Sequence, residues 1–189
     1  MNNMEIRFAG SGGQGLILSG RLLFQALVLD GKQAAHSQSY EPTSRGGFCN
    51  ADLVVSDDEV DYPLVTSIGY LVILDQIGAA PSAAMLAPGA LVFSDCRLVP
   101  DPPVASGALH QVPFTDEAIA LGNHRAANVV ALGTLIGVSD ICSHAAMTQA
   151  VRTGTPKAFL DLNLAALQRG FDIAGELAQA EPAAKAVPL

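Results

Sequence analysis

Closely spaced glycines near the start of the chain constrain its fold more than any other feature. A short apolar strand pattern, residues 5–9, ends at Gly10, and an amphipathic helical pattern follows Gly15. The segment between them, Gly-Ser-Gly-Gly-Gln-Gly, has the G-x-G-x-x-G spacing of a tight strand-to-helix turn. Amide N–H groups at a helix start point outward, where the helix dipole favours an anion. The segment therefore predicts a strand, a loop that can hold phosphate, and a helix.

The motif glycines have different expected roles. We expect Gly10 to adopt a backbone angle that other residues resist, Gly12 to let a ligand approach, and Gly15 to let the helix pack on the strand. A dinucleotide site also needs an acidic residue at the end of the second strand. Asp30 lies at the predicted helix end instead, and Glu41 follows the second strand. Three interpretations stay open here: a turn without a ligand, a phosphate site and a dinucleotide site.

The hydrophobic pattern predicts a three-layer α/β fold with a Rossmann-like sheet that opens with a βαβ unit. Further strands are predicted over residues 33–40, 48–56, 70–75, 89–95 and 109–112. Helices are predicted over residues 14–30, 81–86, 125–135, 143–153 and 157–177, with another beginning at 115, so the C-terminal half is helical. Residues 1–177 are expected to form a single domain and residues 178–189 a C-terminal tail. Ligands of such sheets bind at the carboxyl ends of strands, where loops 10–15 and 41–47 are both expected.

Composition narrows the class of protein. Half of the 189 residues are hydrophobic, 15% are charged and the net charge is −8. An acidic chain is a poor binder of nucleic acid, and no apolar run approaches the roughly 20 residues of a membrane span. The first residues lack a secretory signal pattern, which predicts a cytoplasmic location. The surplus of apolar residues predicts a permanent interface with another protein.

The sequence contains no recognisable catalytic constellation. There is no G-x-S-x-G elbow, no Walker A lysine and no H-E-x-x-H pattern, and the acidic residues of 57–61 are typical of a solvated turn. Cys49, Cys96 and Cys142 lie far apart without a C-x-x-C pair, so we expect buried free thiols and no metal site. The histidines are expected to be surface or structural residues. These features predict a ligand-binding or assembly subunit with no catalytic residue of its own.

A second glycine-containing loop strengthens this interpretation. Arg45 precedes Gly46 and Gly47, and its guanidinium suits a phosphate or carboxylate, although an ordinary salt bridge explains it as well. Taken together, the G-S-G-G-Q-G and S-Y-E-P-T-S-R-G-G segments resemble the gamma subunits of 2-oxoacid:acceptor (ferredoxin) oxidoreductases. Asn128, Gly133 and Gly170 match later positions of that family. The resemblance spans residues 4–175.

The resemblance implies a place in a multi-subunit enzyme. Members of the family oxidatively decarboxylate a 2-oxo acid with thiamine diphosphate, transfer the acyl group to coenzyme A and pass electrons through [4Fe-4S] clusters. It implies that thiamine diphosphate and the clusters lie on alpha, beta and ferredoxin-like delta partner subunits. Ferredoxin or an NAD-reducing flavoprotein subunit would accept the electrons. The second segment is most similar to the 2-oxoglutarate and aryl-glyoxylate types, which implies 2-oxoglutarate or an aromatic 2-oxo acid such as phenylglyoxylate as substrate.

The resemblance also implies a coenzyme A site, because the glycine loop lies where coenzyme A phosphates bind in related enzymes. That role is carried over to Gly10, Ser11, Gly12, Gly13, Gln14 and Gly15, with Arg45, Gly46 and Gly47 as a second wall. Phe48 and Cys49 depart from the small residues expected after these glycines. Two alternatives remain, a free-standing dinucleotide-binding module and a pure assembly scaffold.

Overall fold

A computed structural model describes residues 4–41, 46–56, 60 and 62–184, which form six strands and six helices. The strands are β1 (Met4–Ser11), β2 (Gln33–Tyr40), β3 (Phe48–Ser56), β4 (Ile68–Ile73), β5 (Leu86–Asp95) and β6 (Leu109–Val112). The helices are α1 (Leu16–Leu29), α2 (Ala79–Ala83), α3 (Phe114–Ala120), α4 (Ala127–Ser139), α5 (His144–Gly154) and α6 (Leu160–Ala184). Short 3₁₀ turns precede α2, α4 and α6 at Gln76–Gly78, His124–Ala126 and Lys157–Phe159.

The strands form one mixed sheet in the order β2-β3-β1-β4-β5-β6. β1, β4, β5 and β6 run parallel to one another, whereas β3 is antiparallel to both of its neighbours. β2 is therefore parallel to β1, which confirms the predicted βαβ unit, but the two strands are not adjacent. The chain turns back after β2, and β3 inserts between them. The carboxyl ends of β1, β4, β5 and β6 consequently meet at one edge of the sheet.

Helices cover the two faces of the sheet unequally. On one face, Ile6, Phe8 and Phe93 pack into a large core with α1 and the helices of the C-terminal half. On the other face, a smaller cluster that includes Leu71 and Val92 is covered by α2 and adjoining loops. The architecture is thus a three-layer α/β fold, as predicted, with one thick and one thin helical layer.

Most element boundaries agree with the sequence prediction. β2, β3 and β6 have the predicted bounds, and α1 ends before Gly31, which has a φ of 75° and closes the helix. The predicted helix over 81–86 is wrong at both ends, because Asp75 caps the turn that leads into α2 and Leu86 already pairs with Ile68. α6 extends beyond residue 177 to Ala184, so residues 178–184 continue a helix. The remaining tail residues, 185–189, lie outside the described residues.

Within the described ranges, none of the helices combines the length and the apolar character that a bilayer crossing requires.

Candidate functional site

A cleft lies at the carboxyl edge of the parallel strands. It has a volume of about 290 Å³. Gly12 and Gly13 line it after β1, Leu74 after β4, Leu98 after β5 and Thr115 after β6. This is the edge at which open α/β sheets bind ligands, so the topology brings the N-terminal glycine loop to the expected place.

The two glycine loops meet at this edge. The backbone N–H of Gly12 donates to the carbonyl oxygen of Gly47 at 2.9 Å. The contact arises because β3 is antiparallel to β1, so that its first residues adjoin the last residues of β1. The prediction that both loops lie at one sheet edge is confirmed for the described part of the second loop. Arg45 and its neighbours 42–44 lie outside the described residues.

Gln14 holds the glycine loop in shape. Its Oε1 accepts from the backbone N–H of Ser11 at 2.8 Å, and its Nε2 donates to the carbonyl oxygen of Leu74 at 2.8 Å. Both polar ends of this side chain are therefore occupied by backbone groups. Gln14 joins the end of β1 to the end of β4 and positions the loop, whereas the loop backbone is what the cleft exposes.

The motif glycines are needed for reasons that differ partly from the expected ones. Gly10 has no positive φ, but a Cβ there would lie 2.4 Å from Oε1 of Gln14. Gly15 has a φ of 80°, and a Cβ there would lie 2.6 Å from the amide nitrogen of Asn128 in α4. The glycine that lets α1 approach the sheet is Gly20, next to His36 and Ala51. The expected roles of Gly10 and Gly15 were thus wrong, because the tight contacts come from a side chain and from a helix.

Gly12 has the expected open environment. Among the described residues, a Cβ at this exposed position would meet only the carbonyl oxygen of Gly47, at 3.7 Å. The N–H groups of Gly13, Gly15, Leu16 and Ile17 have no acceptor within the ranges that the structure describes. The start of α1 therefore presents unpaired amides beside the cleft, the arrangement that favours a bound anion.

Two basic residues lie at the same cleft and were not predicted as site residues. His124 and Arg125 line it from the 3₁₀ turn that precedes α4, and the side chain of Asn123 caps that turn. Within the described residues, the Arg125 guanidinium has no hydrogen-bond or ion-pair partner, and no carboxylate lines the cleft. The sequence signal was the Asn-His-Arg run at a helix start, which cannot be assigned to this edge without the tertiary structure.

The structure brings only part of the predicted set together. Gly12, Gly13 and Gln14 line the cleft, and Gly47 contacts it through Gly12. The other described members do not line it: Gly10, Ser11, Gly15 and Gly46. The cleft is thus built from the loop backbone, two basic side chains and an apolar floor.

Asp30 has a structural role that is incompatible with holding a ribose. Its carboxylate accepts hydrogen bonds from the backbone N–H and the hydroxyl of Ser143, which caps α5. β2, the strand expected to end in an acidic residue, contains none. The acidic residue that directly follows β2, Glu41, pairs through its backbone N–H with Phe48 of β3, and β3 separates it from β1, unlike the acidic residue of a dinucleotide site.

The three cysteines, and the histidines other than His124, do not line the cleft. Cys49 and Cys142 are buried free thiols as predicted, and burial raises the pKa of Cys142 to about 12. Cys96 is exposed, so the expectation of burial was wrong there. Burial lowers the pKa of His36, and His144 stacks on the ring of Phe171 at 4.0 Å. In the described ranges, no three His, Cys, Asp or Glu side chains form a group that could hold a metal ion.

Comparisons with known proteins agree on one family. The sequence model of the pyruvate ferredoxin/flavodoxin oxidoreductase family matches residues 5–173. The chain is 36% identical over 179 residues to 2-oxoglutarate synthase subunit KorC of Methanocaldococcus jannaschii, covering 92% of this chain and 95% of that one. The gamma subunit of a keto/oxoacid ferredoxin oxidoreductase from Geobacter sulfurreducens superposes with a TM-score of 0.80 at 35% identity, over 90% of this chain and 98% of that one.

A further structure shares the fold alone. The 2-oxoglutarate:ferredoxin oxidoreductase from Magnetococcus marinus, solved with 2-oxoglutarate, coenzyme A and succinyl-CoA bound, superposes with a TM-score of 0.82. It is 20% identical to this chain, and the match covers 93% of this chain and 32% of that one. The same fold therefore also occurs as part of a much longer chain.

Proposed function

Because this chain belongs to the pyruvate ferredoxin/flavodoxin oxidoreductase family, we propose that it is the coenzyme A-binding gamma subunit of a thiamine diphosphate-dependent enzyme that acts on 2-oxoglutarate. The KorC relative supports 2-oxoglutarate over an aromatic 2-oxo acid. In this proposal, partner subunits hold thiamine diphosphate and the [4Fe-4S] clusters, and ferredoxin accepts the electrons. The product is an acyl thioester of coenzyme A.

The observation that carries the coenzyme A assignment is the chemistry of the cleft wall. Unpaired amides near Gly13, the free guanidinium of Arg125 and the ring of His124 face a space that no described carboxylate lines. Charge-assisted hydrogen bonds from such groups suit the phosphates of coenzyme A. The chain as a whole carries a net charge of −8, so this local concentration of donors is not a consequence of a basic protein.

Substitution at Gly12 tests the proposal in the assembled enzyme. A Cβ there lies no closer than 3.7 Å to the described residues, so Gly12→Val can add bulk to the cleft wall. We expect the KM for coenzyme A to rise about tenfold, which corresponds to about 1.4 kcal/mol, with the KM for the 2-oxo acid unchanged. Gly175→Val, on the exposed surface of α6, is the matched control.

The Gly12→Val variant also distinguishes the proposed function from its two alternatives. An unchanged KM for coenzyme A in a fully assembled Gly12→Val complex would favour the assembly scaffold. Tight binding of NADH by the purified chain, abolished by Gly12→Val, would favour the free-standing dinucleotide module.

A further inference from the structure

The outer strand β2 leaves one edge of the sheet open. Among the described strands, β2 pairs on one side only, with β3. The backbone N–H of Glu41 donates to the carbonyl oxygen of Phe48 at 3.0 Å, so the odd-numbered residues of this antiparallel ladder point their backbone groups at β3. The even-numbered residues therefore point their N–H and C=O groups away from the sheet: Ala34, His36, Gln38 and Tyr40. Such a row of backbone groups can pair with another strand.

β2 also lacks the features that commonly protect an open edge. Its eight residues, Gln33–Tyr40, include no Asp, Glu, Lys, Arg or Pro, and its register with β3 is unbroken. At the opposite edge of the described sheet, β6 is only four residues long. Of these two edges, β2 is therefore the one suited to a strand partner.

An apolar stripe of α1 lies beside the open edge. The ring of Phe24 lies near β2, with its centroid 6.5 Å from that of His36. Ile17 and Val28 lie on the same side of α1 as Phe24, because they are seven and four residues away from it. Val28 is 54% exposed, and Ile17 and Phe24 are half-buried. The edge of β2 thus continues into an apolar surface on the thick side of the sheet.

The charges at the two ends of β2 favour one direction of pairing. Lys32 precedes the strand, where its Nζ donates to the carbonyl oxygen of Ile141, and Glu41 follows the strand. Antiparallel pairing with a second copy places Lys32 of one copy near Glu41 of the other, at both ends of the ladder. Parallel pairing would bring like charges together, which is unfavourable. The edge is therefore complementary in charge to itself.

Side-chain sizes fit one register of such a pair. When Ser37 lies on the two-fold axis, all four outward-pointing residues of each strand find a partner. Ala34 then lies opposite Tyr40 of the second copy, so a small side chain faces a large one. His36 lies opposite Gln38 of the second copy. The side chains near the axis on the other face of β2 are small: Ala35, Ser37 and Ser39.

We propose that two copies of this chain associate through β2, paired antiparallel with Ser37 on the two-fold axis. The two six-stranded sheets then form one continuous sheet, and the apolar stripes of the two α1 helices approach each other above the new ladder. Because β2 is parallel to β1, the glycine-loop clefts of the two copies open in opposite directions. The inference concerns assembly and does not depend on which ligand the clefts bind.

Cysteine substitutions test the register in the full-length chain. Cys96→Ser first removes the exposed native thiol, and the other two thiols are buried. Ser37→Cys then places two thiols opposite each other across the axis, with Cα atoms about 4.5 Å apart, which suits a disulfide. Ser39→Cys is the matched control, because its two copies are offset by about 13 Å along the strands. We expect oxidation to link Ser37→Cys chains into dimers and to leave Ser39→Cys chains unlinked.

Two further variants test the surface without a new thiol. Gln38→Pro removes an outward-pointing N–H and spares the hydrogen bonds to β3. Val28→Glu puts a charge into the apolar stripe, and Ile119→Glu makes the same change at an exposed position of α3 as the control. By sedimentation, the full chain should have twice the mass of one chain. Gln38→Pro and Val28→Glu should each raise the dissociation constant of the dimer about tenfold or more, and Ile119→Glu should not.

Several outcomes would overturn this inference. A full chain that stays monomeric at the concentrations used would do so. A dimer that Val28→Glu leaves intact and that Ser37→Cys does not link would use another surface, and Val28→Glu gives this result even if Gln38→Pro fails to fold. In the assembled enzyme, a disulfide from Ser37→Cys to a partner subunit would show that the partner covers this edge.

Discussion

Gly13 and Gly15 in the N-terminal loop both have a positive φ, 102° and 80°, but their surroundings differ. Within the described part of the chain, a Cβ at Gly13 would meet nothing within 4 Å, whereas a Cβ at Gly15 would meet the side chain of Asn128 at 2.6 Å. Asn128 is held there by hydrogen bonds to the Gly15 carbonyl and the Ser19 hydroxyl. Glycine is thus required at position 13 only for its backbone angle, and at position 15 also because the Asn128 side chain packs closely against it.

This difference predicts that alanine substitutions at Gly13 and Gly15 lower the free energy of unfolding by unequal amounts. Gly13→Ala should lower the free energy of unfolding by about 1 kcal/mol, because only the left-handed backbone angle is strained. Gly15→Ala should lower it by about 3 kcal/mol, because Asn128 must also give up buried hydrogen bonds. Denaturant unfolding measures the free energy of unfolding of both variants. Equal decreases in the two variants would show that the Asn128 side chain moves aside freely.

At the scale of elements, the helical layer depends on the close approach of α4 and α6. Gly133 and Gly170 lie opposite each other: a Cβ at Gly133 would lie 2.4 Å from the Leu167 carbonyl oxygen, and one at Gly170 would lie 2.3 Å from that of Val130. Backbone atoms cannot rotate away as side chains do. The two glycines therefore set the distance between the helices.

Gly170→Ala should consequently separate α4 from α6 and destabilise the chain by about 3 kcal/mol. Gly175→Ala is the matched control on the same helix, where a Cβ has open space. It should stabilise the chain by about 0.5–1 kcal/mol, because alanine favours a helix over glycine. Thermal unfolding distinguishes the two, and a neutral Gly170→Ala would contradict the packing argument.

An ion pair joins α3 to α6 and makes stability depend on pH. Arg169 donates from Nε and Nη2 to the Glu117 carboxylate at 2.8 Å each, and these hydrogen bonds hold the pKa of Glu117 below its ordinary value of 4.5. A carboxyl group with a lowered pKa stabilises the fold above its ordinary pKa. That contribution is lost as the pH falls through the lowered pKa, when the folded protein takes up the proton.

Glu117→Gln should therefore reduce stability near neutral pH and flatten its decline in acid. Asp161→Asn removes an exposed carboxylate at the start of α6 and serves as the control, with a smaller effect expected. Melting temperatures between pH 3 and pH 7, a range of about four units around the carboxyl pKa, measure both effects. If the melting temperature of Glu117→Gln falls as steeply in acid as that of the unmodified chain, the Arg169–Glu117 ion pair does not cause the pH dependence.

For the molecule as a whole, the proposed division of roles predicts that this chain needs its partner subunits for activity. Among the described residues, those that line the cleft include no carboxylate. We therefore expect the purified chain alone not to reduce an artificial electron acceptor with 2-oxoglutarate and coenzyme A. Co-expression with its partner subunits should restore activity. Robust oxidation by the chain alone would refute this division of roles.

Much of the fold could be predicted from local sequence. Gly10 and Gly15 delimit the loop, apolar periodicity predicts α1, and β2 and β3 have their predicted bounds. The similarity to gamma subunits of oxoacid:ferredoxin oxidoreductases confirms the family that the two glycine segments indicated. These features depend on residues close together in the chain, so the order of residue types is enough to predict them.

The tertiary structure alone decided how distant segments meet. β3 inserts between β1 and β2, Arg125 reaches the glycine-loop cleft, and Asn128 contacts Gly15 from 113 positions away. No local pattern encodes such contacts, because they depend on how the sheet and the helical layer pack as a whole. The loop that presents its amides thus follows from neighbouring residues in the chain, whereas the side chains around it depend on packing between distant segments.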